Sequence, residues 1–125
     1  MTTKFIAVCV EDDKDTCLLF KHVINGLGGT LIESANVADG WAAIQEHHPQ
    51  LVLLDLALPR KSGWEVVNQV RADVDLKDTP IVVVTIRDQD EEQYHGRPVD
   101  LVQDYITKPF GVAALEARIR NSMGL

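Results

Sequence analysis

Cysteine is scarce in this chain, with 2 in 125 residues, and no Cys/His spacing of the kind that builds a metal site accompanies them. Cys9 falls inside an apolar strand pattern and Cys17 on the apolar side of the next helix, where reduced thiols pack as small hydrophobes. His47-His48 stands alone before Pro49. No apolar run approaches the ~20 residues that a membrane span requires. Met1-Thr2-Thr3-Lys4 leads straight into a strand-like segment rather than a signal peptide, so a cytoplasmic chain without membrane contact is expected. Basic residues are few and scattered: 12 Lys plus Arg stand against 19 Asp plus Glu, a net charge of −7. That balance weighs against nucleic acid as a direct partner, because phosphate backbones need a basic face. Repeats, low-complexity tracts and linkers are absent too, so residues 1–125 read as a single domain.

What the chain does have is a soluble-globular composition, 46% hydrophobic and 25% charged, and a regular alternation of patterns. Phe5 to Val10, Leu51 to Leu54 and Ile81 to Val84 are nearly continuous Val/Ile/Leu-rich runs, the mark of strands covered on both faces. Thr30 to Ala35 mixes in Glu33 and Ser34 and suits an edge strand, and Tyr105-Ile106-Thr107 is a short fifth candidate. Helical patterns lie between them over residues 14–27, 38–47, 63–73 and 112–122. Gly28-Gly29 stops the first, and the second ends before Pro49. Strict alternation with short loops predicts parallel strands joined by right-handed crossovers, a doubly wound α/β sandwich.

In such sheets the ligand site lies outside the carboxyl ends of the strands. Strand one ends in Glu11-Asp12-Asp13, strand three in Asp55, strand four in Thr85, and strand five runs into Lys108-Pro109. A pocket holding Glu11, Asp12 and Asp55 is stable only with protonation or a bound cation. All-oxygen ligation with retained water suits Mg²⁺, which would also neutralise an incoming phosphoryl group. Lys108 can then hold a phosphoryl oxygen as a point charge, and Asp55 can form an acyl phosphate. Taken alone, Glu11-Asp12-Asp13 is a solvated strand end and helix cap, Lys108-Pro109 a turn, Thr85 a cap and Tyr105 a packed aromatic. Asp13 and Asp15 read as solvated or capping.

Over essentially its full length the sequence resembles the receiver domain of bacterial two-component response regulators. The matching pieces are Glu11-Asp12, Asp55 with Pro59 and Gly63 after it, Thr85, Tyr105, and Lys108-Pro109-Phe110. The resemblance implies a flavodoxin-like (βα)5 fold with five parallel strands in the order 2-1-3-4-5. It implies Asp55 as phosphoacceptor, Asp12 as direct Mg²⁺ ligand, Glu11 as ligand through water, and Ala57 as donor of a backbone carbonyl. Lys108 resembles the phosphate-binding lysine, and Thr85 and Tyr105 the switch pair. It further implies a signalling domain rather than an enzyme, with at most self-phosphorylation and self-dephosphorylation. Its partners would be a histidine kinase or histidine phosphotransfer protein and a downstream protein, whether the receiver stands alone or comes from a larger regulator.

Three features depart from that pattern. Ile86 replaces the usual small residue after the strand-four threonine, and would slow both phosphorylation and hydrolysis. Leu101-Val102-Gln103-Asp104 replaces the common Gly-Ala-Asp-Asp. Gly96 and Pro98 interrupt the region between strands four and five, so a shortened or irregular helix is expected there. The competing reading is a receiver-fold interaction module that works without phosphorylation. An aspartyl phosphatase of the haloacid-dehalogenase type is disfavoured because Ala57 occupies the place of its second acid. A flavodoxin-like cofactor binder is disfavoured because carboxylates at strand one would repel a phosphate.

Overall fold

The three continuous apolar runs form the middle of the sheet, where both faces are covered. In the computed structural model, β1 (Phe5–Val10), β3 (Leu51–Leu54) and β4 (Ile81–Ile86) lie side by side, with β2 (Gly29–Ser34) and β5 (Asp104–Lys108) as the edges. All pairings are parallel and the order is β2-β1-β3-β4-β5, as expected. The structure describes residues 4–58, 61–86 and 101–125, and for Thr85 and Ile86 the backbone alone. Pro59, the Ile86 side chain and the shortened helix expected between β4 and β5 thus lie outside the described residues.

Helices α1 (Lys14–Gly26), α2 (Val37–His47), α3 (Trp64–Ala72) and α4 (Val112–Met123) cover the sheet. Side chains alternate between its faces. Ala7, Cys9, Leu51, Leu53, Val82, Val84 and Ile106 pack under α1 and α4, while Val8, Val10, Val52, Leu54, Ile81 and Val83 pack under α2 and α3. The helices start and stop where local chemistry directs. Asp13 caps α1 by accepting from the Thr16 N–H at 3.0 Å, and Asn36 caps α2 by accepting from the Asp39 N–H at 2.8 Å. Gly28 takes the left-handed conformation (φ 89°) that turns the chain from α1 into β2. His48, also left-handed at φ 45°, ends α2 ahead of Pro49. Among the described residues no helix is long and apolar enough to cross a membrane.

Candidate functional site

Register brings the acidic residues together. Val10 pairs with Leu54, so Glu11 and Asp55 are the next residues out on neighbouring strands. Their backbones are tied back into the sheet: the Glu11 N–H donates to the Ser34 carbonyl at 2.9 Å and the Asp55 N–H to the Val10 carbonyl at 3.0 Å. Carboxylate oxygens of Glu11, Asp12 and Asp55 all fall within 4.8 Å of one another. Asp12 is exposed, whereas Glu11 and Asp55 are buried, at 2% and 4% exposure. Burying two acids at this depth requires compensation.

Lys108 supplies part of it. It is the last residue of β5, and its four-carbon stem spans the end of β4 to reach acids carried by β1 and β3. Nζ lies 2.8 Å from Glu11 Oε1 and 3.5 Å from Asp55 Oδ2. The first contact is an ion pair, and Oε1 is otherwise buried without a formal hydrogen bond. The Asp13 N–H donates to Glu11 Oε2 at 3.2 Å, and the Ala57 N–H to Asp55 Oδ1 at 3.0 Å. Burial pushes the Glu11 carboxyl up to about 7; the Lys108 contact opposes this and the charge of Asp55 adds to it. For Lys108, burial disfavours the ammonium, but Glu11, Asp55 and Asp13 together outweigh it and hold its pKa above the ordinary lysine value. The Lys108–Pro109 bond is cis.

The remaining expected residues are placed as follows. Thr85 lies in β4 opposite Thr107, and its side chain is outside the described residues. Tyr105 is half-buried and packs, with Leu101, against the core layer under α2 and α3. The Ala57 backbone borders Asp55 through its N–H. Cys9 and Cys17 are free and buried, as expected, and burial pushes the Cys17 thiol up to about 11 and that of Cys9 further. Cys17 still contributes to the site by donating to the Glu11 carbonyl at 3.5 Å.

Gly63 has a physical reason that its sequence position does not show. Its N–H donates to the Leu56 carbonyl at 3.0 Å, and a Cβ there would strike the Asp55 carbonyl oxygen and Leu56 Cα. Its φ of −59° suits any residue, so the requirement is close approach, which only glycine permits.

A cation fits this donor set. The three acids offer hard oxygens, the buried Glu11 Oε1 has no formal hydrogen bond, and no softer ligand intervenes among the described residues.

Comparison with known proteins agrees with the geometry. The phosphate regulon transcriptional regulatory protein PhoB of Pseudomonas aeruginosa is 31% identical over 111 residues, which is 89% of this chain and 48% of PhoB. The chain therefore spans about half the length of that relative. The polar-differentiation response regulator DivK of Brucella ovis is 31% identical over 124 residues, 98% of each protein. Among solved structures, the receiver domain of the sensor histidine kinase PA1611 of Pseudomonas aeruginosa superposes with a TM-score of 0.83. It covers 98% of this chain and 100% of that one at 20% identity, a likeness of fold, and holds a magnesium ion in its active-site cleft. The family profile of the response regulator receiver domain matches residues 7–120. Sequence, topology and the acidic rim lead to one conclusion: the chain belongs to the response regulator receiver domain family.

Proposed function

We propose that the chain is a phosphoacceptor switch in which Asp55 takes a phosphoryl group from a histidine kinase or histidine phosphotransfer protein. The observation that carries this reading is the meeting of Lys108 Nζ with two buried acids, Glu11 and Asp55, on one rim. Asp55 Oδ1 is engaged by the Ala57 N–H, which leaves Oδ2, the oxygen facing Lys108, as the nucleophile. Oδ2 forms the new bond to phosphorus as the bond from phosphorus to the donor nitrogen breaks, and the donor imidazole keeps that electron pair. Lys108 turns from the carboxylates to a phosphoryl oxygen as the transferred charge arrives.

Glu11, Asp12, Asp55 and the Ala57 backbone carbonyl would hold Mg²⁺, as a magnesium ion is held in the PA1611 receiver. Bound there, Mg²⁺ neutralises charge on the phosphoryl oxygens. Thr85 and Tyr105 are the residues proposed to respond to the modification and alter affinity for a downstream protein. Chemistry is confined to this self-modification and its reversal by water; no separate substrate is turned over.

Incubation of the chain with acetyl phosphate and Mg²⁺, followed by intact-mass measurement, tests the reading. The wild type is expected to gain one phosphate and Asp55→Asn none. An Asp55→Asn variant modified at the wild-type rate would refute it, and a wild type that stays unmodified would favour the phosphorylation-independent module.

A further inference from the structure

We infer that Arg71 is a positioning residue for Lys108, acting through the register of β5. β5 is an edge strand of 5 residues, and Ile106 is the one side chain buried along it, so apolar burial specifies its register weakly. Register nevertheless decides where Lys108 goes. A slip of one residue turns every side chain of the strand to the opposite face, and a slip of two carries the ammonium roughly 6–7 Å along the sheet edge.

Polar contacts at the start of the strand supply what burial does not. Gln103, just before β5, engages Ile81 twice: its N–H donates to the Ile81 carbonyl at 2.9 Å, and its Oε1 accepts from the Ile81 N–H at 2.7 Å. The same Oε1 accepts from Arg71 Nη2 at 2.9 Å. From the last turn of α3, Arg71 also donates through Nε to the Leu101 carbonyl at 2.8 Å. Its Nη1 donates to the Lys77 and Thr79 carbonyls at 3.0 and 2.7 Å. One planar guanidinium thus fastens the residues leading into β4 to those leading into β5, with a fork geometry that an ammonium cannot reproduce. Pairing then runs from Val82 with Asp104 to Ile86 with Lys108, and Nζ arrives between Glu11 and Asp55.

The activity arm of the test rests on the proposed phosphorylation of Asp55, and a second arm does not. Wild type, Arg71→Lys, Lys108→Ala and the double variant are compared as full chains. The measurements are acetyl phosphate phosphorylation, Mg²⁺ affinity by calorimetry, and amide hydrogen exchange. Arg71→Lys is expected to lose protection in β5 while β1 and β3 keep theirs. It should phosphorylate about tenfold or more slowly, as misplacement of a charge-stabilising group by an ångström or more predicts. Its Mg²⁺ affinity should be unchanged or higher, because Lys108 is not a ligand and its ammonium opposes a cation beside Glu11 and Asp55, and the double variant should be no slower than Lys108→Ala. Wild-type protection in β5 overturns the inference, as does wild-type phosphorylation of Arg71→Lys. Equal loss of protection across the sheet, weakened Mg²⁺ binding or a further loss in the double variant also overturns it. If the wild type takes no phosphate, the proposed function fails while the exchange arm still decides the role of Arg71.

Discussion

At the scale of single residues, the site depends on one glycine and one buried acid as much as on the acceptor. Because a Cβ at position 63 would strike the backbone of Asp55 and Leu56, Gly63→Ala is expected to push the turn after β3 outward. The expected cost is about 1–3 kcal/mol of stability, as for other forced overpacking, together with slower phosphorylation. Urea denaturation and the acetyl phosphate assay on one preparation check both effects. Glu11 gives a pH dependence whose sign follows from its raised pKa. Its folded value of about 7 exceeds the ordinary 4.5, so over that interval the metal-free folded chain keeps a proton that the unfolded chain has released. This contribution to stability is therefore full below pH 4.5 and is lost as pH rises through about 7. Lys108, raised above the ordinary lysine value, keeps its own contribution across that range and loses it only at alkaline pH. Without Mg²⁺, the urea midpoint of the wild type should fall between about pH 5 and about pH 8 by more than that of Glu11→Gln. Parallel profiles for the two proteins would contradict the burial of a titrating Glu11.

At the scale of elements, the helix caps separate stability from chemistry. Asn36 caps α2 through its side chain, which accepts from the Asp39 N–H at 2.8 Å and donates to the Asp39 carboxylate at 2.9 Å. Asn36→Ala should cost about 1 kcal/mol and leave the phosphorylation rate unchanged, which equilibrium unfolding and the phosphorylation assay measure together. The same elements show what a sequence discloses. The runs Phe5 to Val10, Leu51 to Leu54 and Ile81 to Val84 were legible because a strand buried on both faces has no polar position to blur it. Glu33 and Ser34 correctly marked β2 as an edge, although the strand begins one residue earlier, at Gly29. The acids were legible because strand ends carry the ligands of this architecture. Arg71 was not, since three of its four acceptors are backbone carbonyls from distant positions, and a carbonyl leaves no mark in a sequence. Nor was the reason for Gly63, which depends on how closely α3 approaches the end of β3.

At the scale of the whole molecule, a stable doubly wound sheet carries at one rim a set of like charges that Lys108 alone only partly offsets. A cation that binds the folded chain and not the unfolded one adds stability by mass action. Mg²⁺ at ten times its dissociation constant should contribute roughly 1.4 kcal/mol, and Asp12→Ala should abolish that gain in a thermal or urea melt. The central claim is that the acid at position 55 becomes an acyl phosphate, and borohydride trapping addresses it most directly. Borohydride reduces an aspartyl phosphate to homoserine and leaves an ordinary carboxylate intact, so peptide mapping after reaction with acetyl phosphate identifies the modified residue. The account predicts homoserine at position 55 and at no other acid, formed with Mg²⁺ and lost on chelation. Homoserine at Asp12 or Asp13, or 5-hydroxynorvaline at Glu11, instead of homoserine at position 55, or an unreduced Asp55 in a chain that has gained phosphate, would contradict it.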